Sequence, residues 1–271
     1  MIVNDVIYFF GCDMGGWHNT SQQKGDALAV CKWDGTQLEH VDATAAITFF
    51  PVISDQSLSQ HLNAAKSDDA QIIVGIDAAL SWPAKFTQLI TEAHSFTHDF
   101  DFELTDSVNN PYLYRETERF IKRHVQTGMK ERPLTAVGDK FGNNSSKAQA
   151  LGAWFLQQLP DVYRPPFDVW DRENAKIAQH TLIEVYPAAS MKSAKFKRLH
   201  WPSESQSMDN AGKSDIADAK RCAMTAFVYA ASVGKLKCEK CPNILTPDDA
   251  DELIRKSALN TEGWIFAPKC K

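Results

Sequence analysis

Gln71-Ile72-Ile73-Val74-Gly75-Ile76-Asp77 decides the architecture of this chain. The run is apolar, rich in β-branched residues and too short for a helix, so it reads as a strand that closes on an aspartate. A second run of the same kind, Val6-Ile7-Tyr8-Phe9-Phe10-Gly11-Cys12, closes on Asp13. Between them, Asp26-Ala27-Leu28-Ala29-Val30-Cys31-Lys32-Trp33 reads as a strand, Asp34-Gly35 as a hairpin turn and Thr36 to Val41 as the return strand. Ser57 to Ala65 has helical spacing, and a helix there is the crossover that a parallel pairing of the 6–12 and 71–77 strands requires. The chain thus opens with three antiparallel strands, a helix and a parallel fourth strand.

The middle is less regular. His94 to Asn110 is polar and aromatic without a period, and the stretch 94–165 reads as an insertion of helices and loops within a single domain, 1–271. Glu116 to Val125 and Ser145 to Leu159 have helical patterns, the latter with Ala148, Leu151, Phe155 and Leu159 on one face. Thr181 to Tyr186 is a further strand, Lys192 to Gly212 a basic and then serine-rich loop, and Asp215 to Val233 a helix stopped by Gly234. Thr246-Pro247-Asp248-Asp249 has the residues of a helix start, and Gly263 to Pro268 is placed to cover a sheet edge. The expected fold is α/β, a mixed five-stranded sheet with helices on both faces, and this succession of elements resembles that of a ribonuclease H-like domain.

With 44% hydrophobic and 23% charged residues the chain has the composition of a soluble globular protein. A net charge of −5 announces no polyanion partner, although a few local basic residues can bind phosphate on an acidic protein. No run approaches the roughly 18 apolar residues of a membrane helix. Asp5 interrupts the first apolar stretch and no basic region precedes it, so no signal peptide and a cytoplasmic location are expected. The six cysteines are unevenly spread, which speaks against a disulfide framework. Cys238 and Cys241 have zinc-ligand spacing but no second pair or nearby histidine, so reduced thiols are the expectation.

Asp13 and Asp77 fall at strand ends, and Asp215 and Asp218 at the head of the long helix. Carboxylates gathered at strand ends repel one another unless a cation neutralises them. Residues three apart on a helix are neighbours, with about 5–6 Å between Cβ atoms, so both helix carboxylates can face one site. Such oxygen ligands suit Mg²⁺ or Mn²⁺, and two ions about 3.5–4 Å apart would activate water and stabilise a leaving oxygen in phosphodiester cleavage. Each aspartate also has a plain structural reading as a turn residue, a strand end or a helix-start charge. Glu184, near the end of the last strand, is a fifth candidate, as a ligand or as an orienting group. Arg115 and Arg119 lie one helical turn apart, and arginine forks match phosphate oxygens. The lysine-rich stretch Lys192 to Arg198 could serve the same end, and His18 could assist proton transfer, though an exposed turn histidine is the simpler reading.

Five segments, Gly11-Cys12-Asp13-Met14-Gly15-Gly16-Trp17, Gly75-Ile76-Asp77-Ala78-Ala79-Leu80-Ser81, Arg115 to Arg119, Glu184-Val185-Tyr186-Pro187-Ala188 and Asp215-Ile216-Ala217-Asp218-Ala219, together resemble an uncharacterised family of predicted nucleases with a ribonuclease H-like fold. Glu262-Gly263-Trp264-Ile265 is similar to that family's closing segment. The helix motif is also similar to that of bacterial Holliday-junction resolvases. The resemblance implies that Asp13, Asp77, Asp215 and Asp218 are metal ligands and that the activity is a metal-dependent hydrolysis of nucleic acid. Resolvases are basic dimers with a glutamate at the second acidic position, whereas this chain is acidic and has Asp77, so junction resolution is not implied and a homodimer is left open. Two other functions fit the same features. A nucleotide-binding phosphotransferase of the actin and sugar-kinase type would need a second such domain, and a non-catalytic binding scaffold would need no metal.

Overall fold

Successive side chains of a strand point to opposite faces, so Ile7 and Phe9 lie on one side of the sheet and Tyr8, Phe10 and Cys12 on the other, and all five are buried. A strand apolar on both faces needs cover on both. The computed structural model describes residues 5–17, 25–49, 56–92, 110–124, 135–138, 141–165, 168, 170–202, 204–205, 207–212, 214–251 and 261–270. Its strands are β1 (Ile7–Asp13), β2 (Asp26–Trp33), β3 (Leu38–Ile47), β4 (Gln71–Asp77), β5 (Val162–Tyr163), β6 (His180–Val185) and β7 (Ile265–Phe266). The sheet runs β3-β2-β1-β4-β6-β5, with β7 also on β6. β2 is antiparallel to β1 and β3, while β1, β4 and β6 are parallel.

Two helices, α1 (Gln56–Ser67) and α4 (Phe141–Gln158), cover one face. Leu58, Leu62, Ala148, Leu151 and Phe155 pack there on Tyr8, Phe10, Val30, Val74 and Ile76. The other face takes one long helix, α8 (Asp215–Val233), whose Cys222, Ala223 and Phe227 join Ile7, Phe9, Ala29 and Ile73. Ser214 caps the start of α8 by accepting from the Ala217 N–H, and Gly234, at φ 87°, ends it in the left-handed conformation that favours glycine.

The sheet has seven strands where five were expected. The two additions are each two residues long and lie along the edge of β6 away from β4: β5 pairs with His180 and Thr181, β7 with Glu184 and Val185. A two-residue strand carries no alternating pattern to read. The Lys192–Gly212 stretch, expected as a loop, contains the short helix α7 (Ala194–Lys197) and a turn of 3₁₀ helix at Met208–Asn210. Phe196, Trp201 and Met208 anchor this stretch in the core. Cys238 and Cys241 form a disulfide rather than the expected pair of reduced thiols, which leaves neither free to bind zinc. His18 and nearly all of the 94–110 excursion lie outside the described residues.

Candidate functional site

The site begins with two glycines. Gly11 and Gly75 are register partners on the adjacent strands β1 and β4. A Cβ on Gly11 would stand 2.0 Å from the Ala219 carbonyl oxygen and 2.4 Å from the Ala223 nitrogen, and one on Gly75 would stand 2.8 Å from the Cys222 carbonyl oxygen. The backbone of α8 therefore rests directly on the sheet, and the small side chains of Ala219, Ala223 and Ala226 are all fully buried. Asp13 and Asp77 follow the two glycines by two residues, so by strand alternation they emerge on the α8 face. Asp218 precedes Ala219, the residue whose carbonyl meets Gly11.

Asp13 and Asp77 are themselves register partners, at the carboxyl ends of adjacent parallel strands. Among the described residues no ion pair neutralises either of them or Asp215. Burial, reinforced by the charges of Asp218, Asp215 and Asp26, pushes the Asp13 carboxyl up to about 8. Burial and the charges of Asp13, Asp218 and Glu184 hold Asp77 well above the usual carboxylate range. Six acidic groups, Asp13, Asp26, Asp77, Glu184, Asp215 and Asp218, thus bear on this end of the sheet, the last two from the head of α8. Asp215 is exposed. Asp218 is 38% exposed and accepts from the Arg221 guanidinium at 2.7 Å, so one of its oxygens already has a cation.

A cavity of about 140 Å³ opens beside the strand ends, lined by Asp13, Asp77, Arg115, Glu118, Asn144 and Glu184 among others. Its far wall is built around Arg115, only 1% exposed. The guanidinium donates to both oxygens of Glu184, at 2.8 and 2.5 Å, and to Glu118 at 2.9 Å. Burial alone would lower the Arg115 pKa, but the carboxylates of Glu184 and Glu118 outweigh it and hold the group above its ordinary value. Burial pushes Glu118 up to about 7 despite the arginine beside it. Glu184 also accepts from the Leu80 N–H at 3.0 Å, which fixes the chain as it leaves β4. Arg115 Nη1 donates to the Glu262 carbonyl as well, at 3.0 Å. The Glu262 carboxylate receives the N–H groups of Ala84 and Glu116, at 2.8 and 2.7 Å, at the starts of α2 (Ala84–Thr91) and α3 (Glu116–His124). One carboxylate set against two helix N-termini is electrostatically favourable.

Behind the cavity, the loop that leaves Asp13 is held by a buried ion pair. Asp26, fully buried at the head of β2, meets Lys147 of α4 at 2.6 Å and accepts the backbone N–H groups of Gly15 and Phe49 at 2.8 and 2.7 Å. Asn144 donates to the Met14 carbonyl at 2.9 Å, and Asn143 accepts from the Trp17 N–H at 2.9 Å. The loop leaving Asp13 is thereby clamped to the start of α4. Nothing in the sequence pairs residues 121 positions apart, and Asp26 alone reads as a strand start.

The structure therefore gathers Asp13, Asp77 and Glu184 around one cavity with Arg115, and sets Asp218 and Asp215 within electrostatic reach of Asp13. Glu184 and Arg115 are committed to each other. Arg119 lies apart, donating to Glu116 at 2.6 Å and to the Tyr114 carbonyl at 3.1 Å. None of Lys192, Lys195, Lys197 and Arg198 lines the cavity. The described residues hold no group of three histidine, cysteine, aspartate or glutamate side chains already converged on a metal position. No protein-family model, curated protein or solved structure matches the chain.

Proposed function

We propose that the chain is a divalent-metal-dependent nuclease on a ribonuclease H-like core. One observation carries the reading: Asp13 and Asp77 are paired in register on adjacent parallel strands, and their mutual repulsion is relieved by no ion pair among the described residues. The strand order β3-β2-β1-β4-β6, with β2 antiparallel and β1 beside β4, is consistent with such a core. The donors suit a hard cation in their chemistry, being carboxylate oxygens with neither thiol nor imidazole among them. Asp13 and Asp77 would hold Mg²⁺ or Mn²⁺, with Asp218 and Asp215 completing the set from α8. A bound ion supplies charge neutralisation at the phosphate and lowers the pKa of its water. The residues of the chain do the rest. Arg115 fixes Glu184 and, through Leu80, the segment that follows Asp77, while Asp26 and Lys147 fix the segment that follows Asp13.

The ion pair of Asp218 with Arg221, and the lack of three converged ligands, favour a second reading, a binding scaffold that holds no catalytic metal. Calorimetric titration with Mn²⁺ separates the two, run beside a cleavage screen on single-stranded, duplex, branched and hybrid nucleic acids. The nuclease reading expects Mn²⁺ binding and metal-dependent cleavage, both lost in Asp13→Asn and Asp77→Asn while the fold is kept. Absence of Mn²⁺ binding, or cleavage by either variant equal to that of the parent, overturns it.

A further inference from the structure

Trp17 follows Asp13 by four residues. Four residues reach at most about 14 Å, so the indole stays within a short stretch of strand from the carboxylates. The loop between them is laid on the start of α4. A Cβ on Gly16 would stand 2.5 Å from Asn143 Nδ2 and 3.1 Å from Asn144 Oδ1, so the approach needs the glycine. Consecutive residues of that helix then serve two neighbours. Asn144 and Ser145 line the cavity with Asp13 and Asp77, while Asn143 and Ser146 hold Trp17.

Trp17 is 43% exposed, the most exposed tryptophan, phenylalanine or tyrosine among the described side chains. A single apolar side chain in water is ordinary on a protein surface. This one is fixed as well as exposed. Its backbone N–H donates to Asn143 and its indole N–H to Ser146, each at 2.9 Å, and the Ser146 hydroxyl is itself held by the Asn143 carbonyl at 3.1 Å. The backbone bond alone would clamp the loop that leaves Asp13, and it would do so for any side chain. The indole bond does something else, because it orients the ring. An aromatic surface already fixed in place binds a flat partner with little loss of conformational freedom.

Charge indicates the partner. The chain carries a net charge of −5, and Arg115, the one basic residue that lines the cavity among the described residues, is engaged by Glu184 and Glu118. Lys147, behind the cavity, is engaged by Asp26. Cations for a run of backbone phosphates, on which duplex binding depends, are therefore scarce here. Affinity must come from the bases, and every base offers a face that an aromatic side chain can stack on when the strand is unpaired. We infer that Trp17 is a stacking platform for a base of single-stranded nucleic acid and makes unpaired strands the substrate class of this site. The inference rests on the nuclease reading for the phosphodiester that such a strand would bring to Asp13 and Asp77. The stacking itself requires no cleavage.

The test is fluorescence anisotropy on the full chain in Ca²⁺, which carboxylates also hold. The probes are short labelled DNA and RNA strands of mixed sequence, the same strands annealed to their complements, and a strand of equal length without bases. The tighter-binding single strand, DNA or RNA, is expected to exceed both its duplex and the baseless strand at least about tenfold. Trp17→Ala is expected to weaken it about fivefold to a hundredfold, the worth of one stacked base, with unchanged circular dichroism and Mn²⁺ affinity. Trp17→Phe, which keeps a ring but loses the bond to Ser146, is expected to bind between parent and Trp17→Ala. A tryptophan that only braces the Asp13 loop gives a different pattern, in which Ala and Phe are equally weak and Mn²⁺ affinity falls with them. That pattern overturns the inference. So does a duplex or baseless strand bound as tightly as the single strand, or Trp17→Ala binding as the parent does. Failure of the nuclease reading shows separately, as a parent protein that binds single strands through Trp17 yet cleaves none of them with Mn²⁺.

Discussion

Gly11→Ala adds one methyl group at the most crowded point between sheet and helix. The added carbon would lie 2.0 Å from the Ala219 carbonyl oxygen, whereas ordinary contact begins at 3.4 Å, so α8 or β1 must retreat by about 1.4 Å. Both obstacles, this oxygen and the Ala223 nitrogen, are backbone atoms that no rotamer change can move aside. Overpacking of a core costs about 1–3 kcal/mol, and a backbone obstacle belongs at the upper end. A gap of 0.5–1 Å also forfeits a quarter to a half of each dispersion contact it opens, here along a helix buried for most of its length. Replacing glycine returns about 0.4–1 kcal/mol through the unfolded chain, since Gly11 is not among the positive-φ glycines and alanine can adopt its backbone. The expected net loss is about 2–4 kcal/mol in urea denaturation followed by circular dichroism. Gly75→Ala, with its obstacle at 2.8 Å, needs a retreat of about 0.6 Å and should lose about 1–2 kcal/mol. Gly152→Ala, which meets only the end of the Leu182 side chain at 3.3 Å, should lose least. Because α8 carries Asp215 and Asp218, Mn²⁺ affinity should fall in the same rank order. A Gly11→Ala protein within about 0.5 kcal/mol of the parent, inside the ordinary scatter of surface substitutions, would refute the claim that direct backbone contact seats this helix.

Three further perturbations probe the same site. Asp13 and Asp77 hold protons more tightly folded than unfolded, so their effect favours the fold most below the ordinary carboxylate range. Stability of the metal-free protein should therefore decline as pH rises toward about 8, the value of Asp13. At 1.36 kcal/mol per unit, even half of the Asp13 displacement is worth about 3 kcal/mol. Asp77→Asn should flatten the decline and stabilise the protein at pH 8, and a variant as steep as the parent in urea titrations across pH would contradict the repulsion. Lys147→Ala leaves Asp26 buried without its cation and should cost about 3–5 kcal/mol by urea denaturation, far more than an exposed lysine would. Arg115→Met strands Glu118 and Glu184 and should cost about as much, more at pH 8 than at pH 5, because protonation of Glu118, which burial already pushes up to about 7, relieves part of the loss at the lower pH. A loss equal at both pH values would show that Glu118 is not a charged partner of the arginine.

The five longer strands and the long helix were legible because each carries a period or an unbroken apolar run over at least six residues, although the return strand, expected over 36–41, runs on as β3 (Leu38–Ile47). β4 and α8 run from Gln71 to Asp77 and from Asp215 to Val233, with the bounds that their patterns indicated. Elements of two to four residues, β5, β7, α6 (Pro187–Ser190) and α7, were not legible, because their positions are set by partners rather than by their own pattern, and neither were α5 (Arg172–Ile177) and α2, of six and eight residues. Ile265 pairs with Glu184 and also donates its N–H to Thr117, so β7 exists through contacts on two other elements.

The site divides along the same line. That Asp13 and Asp77 end two neighbouring parallel strands follows from local pattern and a crossover helix, and their register pairing adds only the last step. What Glu184 and Arg115 do could not be read in that way. Each is a plausible ligand or phosphate fork when taken alone, and only their bidentate contact, across 69 positions, commits each to the other. The same holds for Asp26 and Lys147. A charged residue offers sequence reasoning a choice of roles, and burial removes the choice, since a charge taken from water must find its partner inside the protein. The carboxylates at this edge therefore fall into two kinds. Glu184, Glu118 and Asp26 have internal cations; the first two line the cavity, and Asp26 holds the loop that leaves Asp13. Asp13 and Asp77 have none among the described residues, and it is their unmet charge that makes a cation from outside the chain the reading to test.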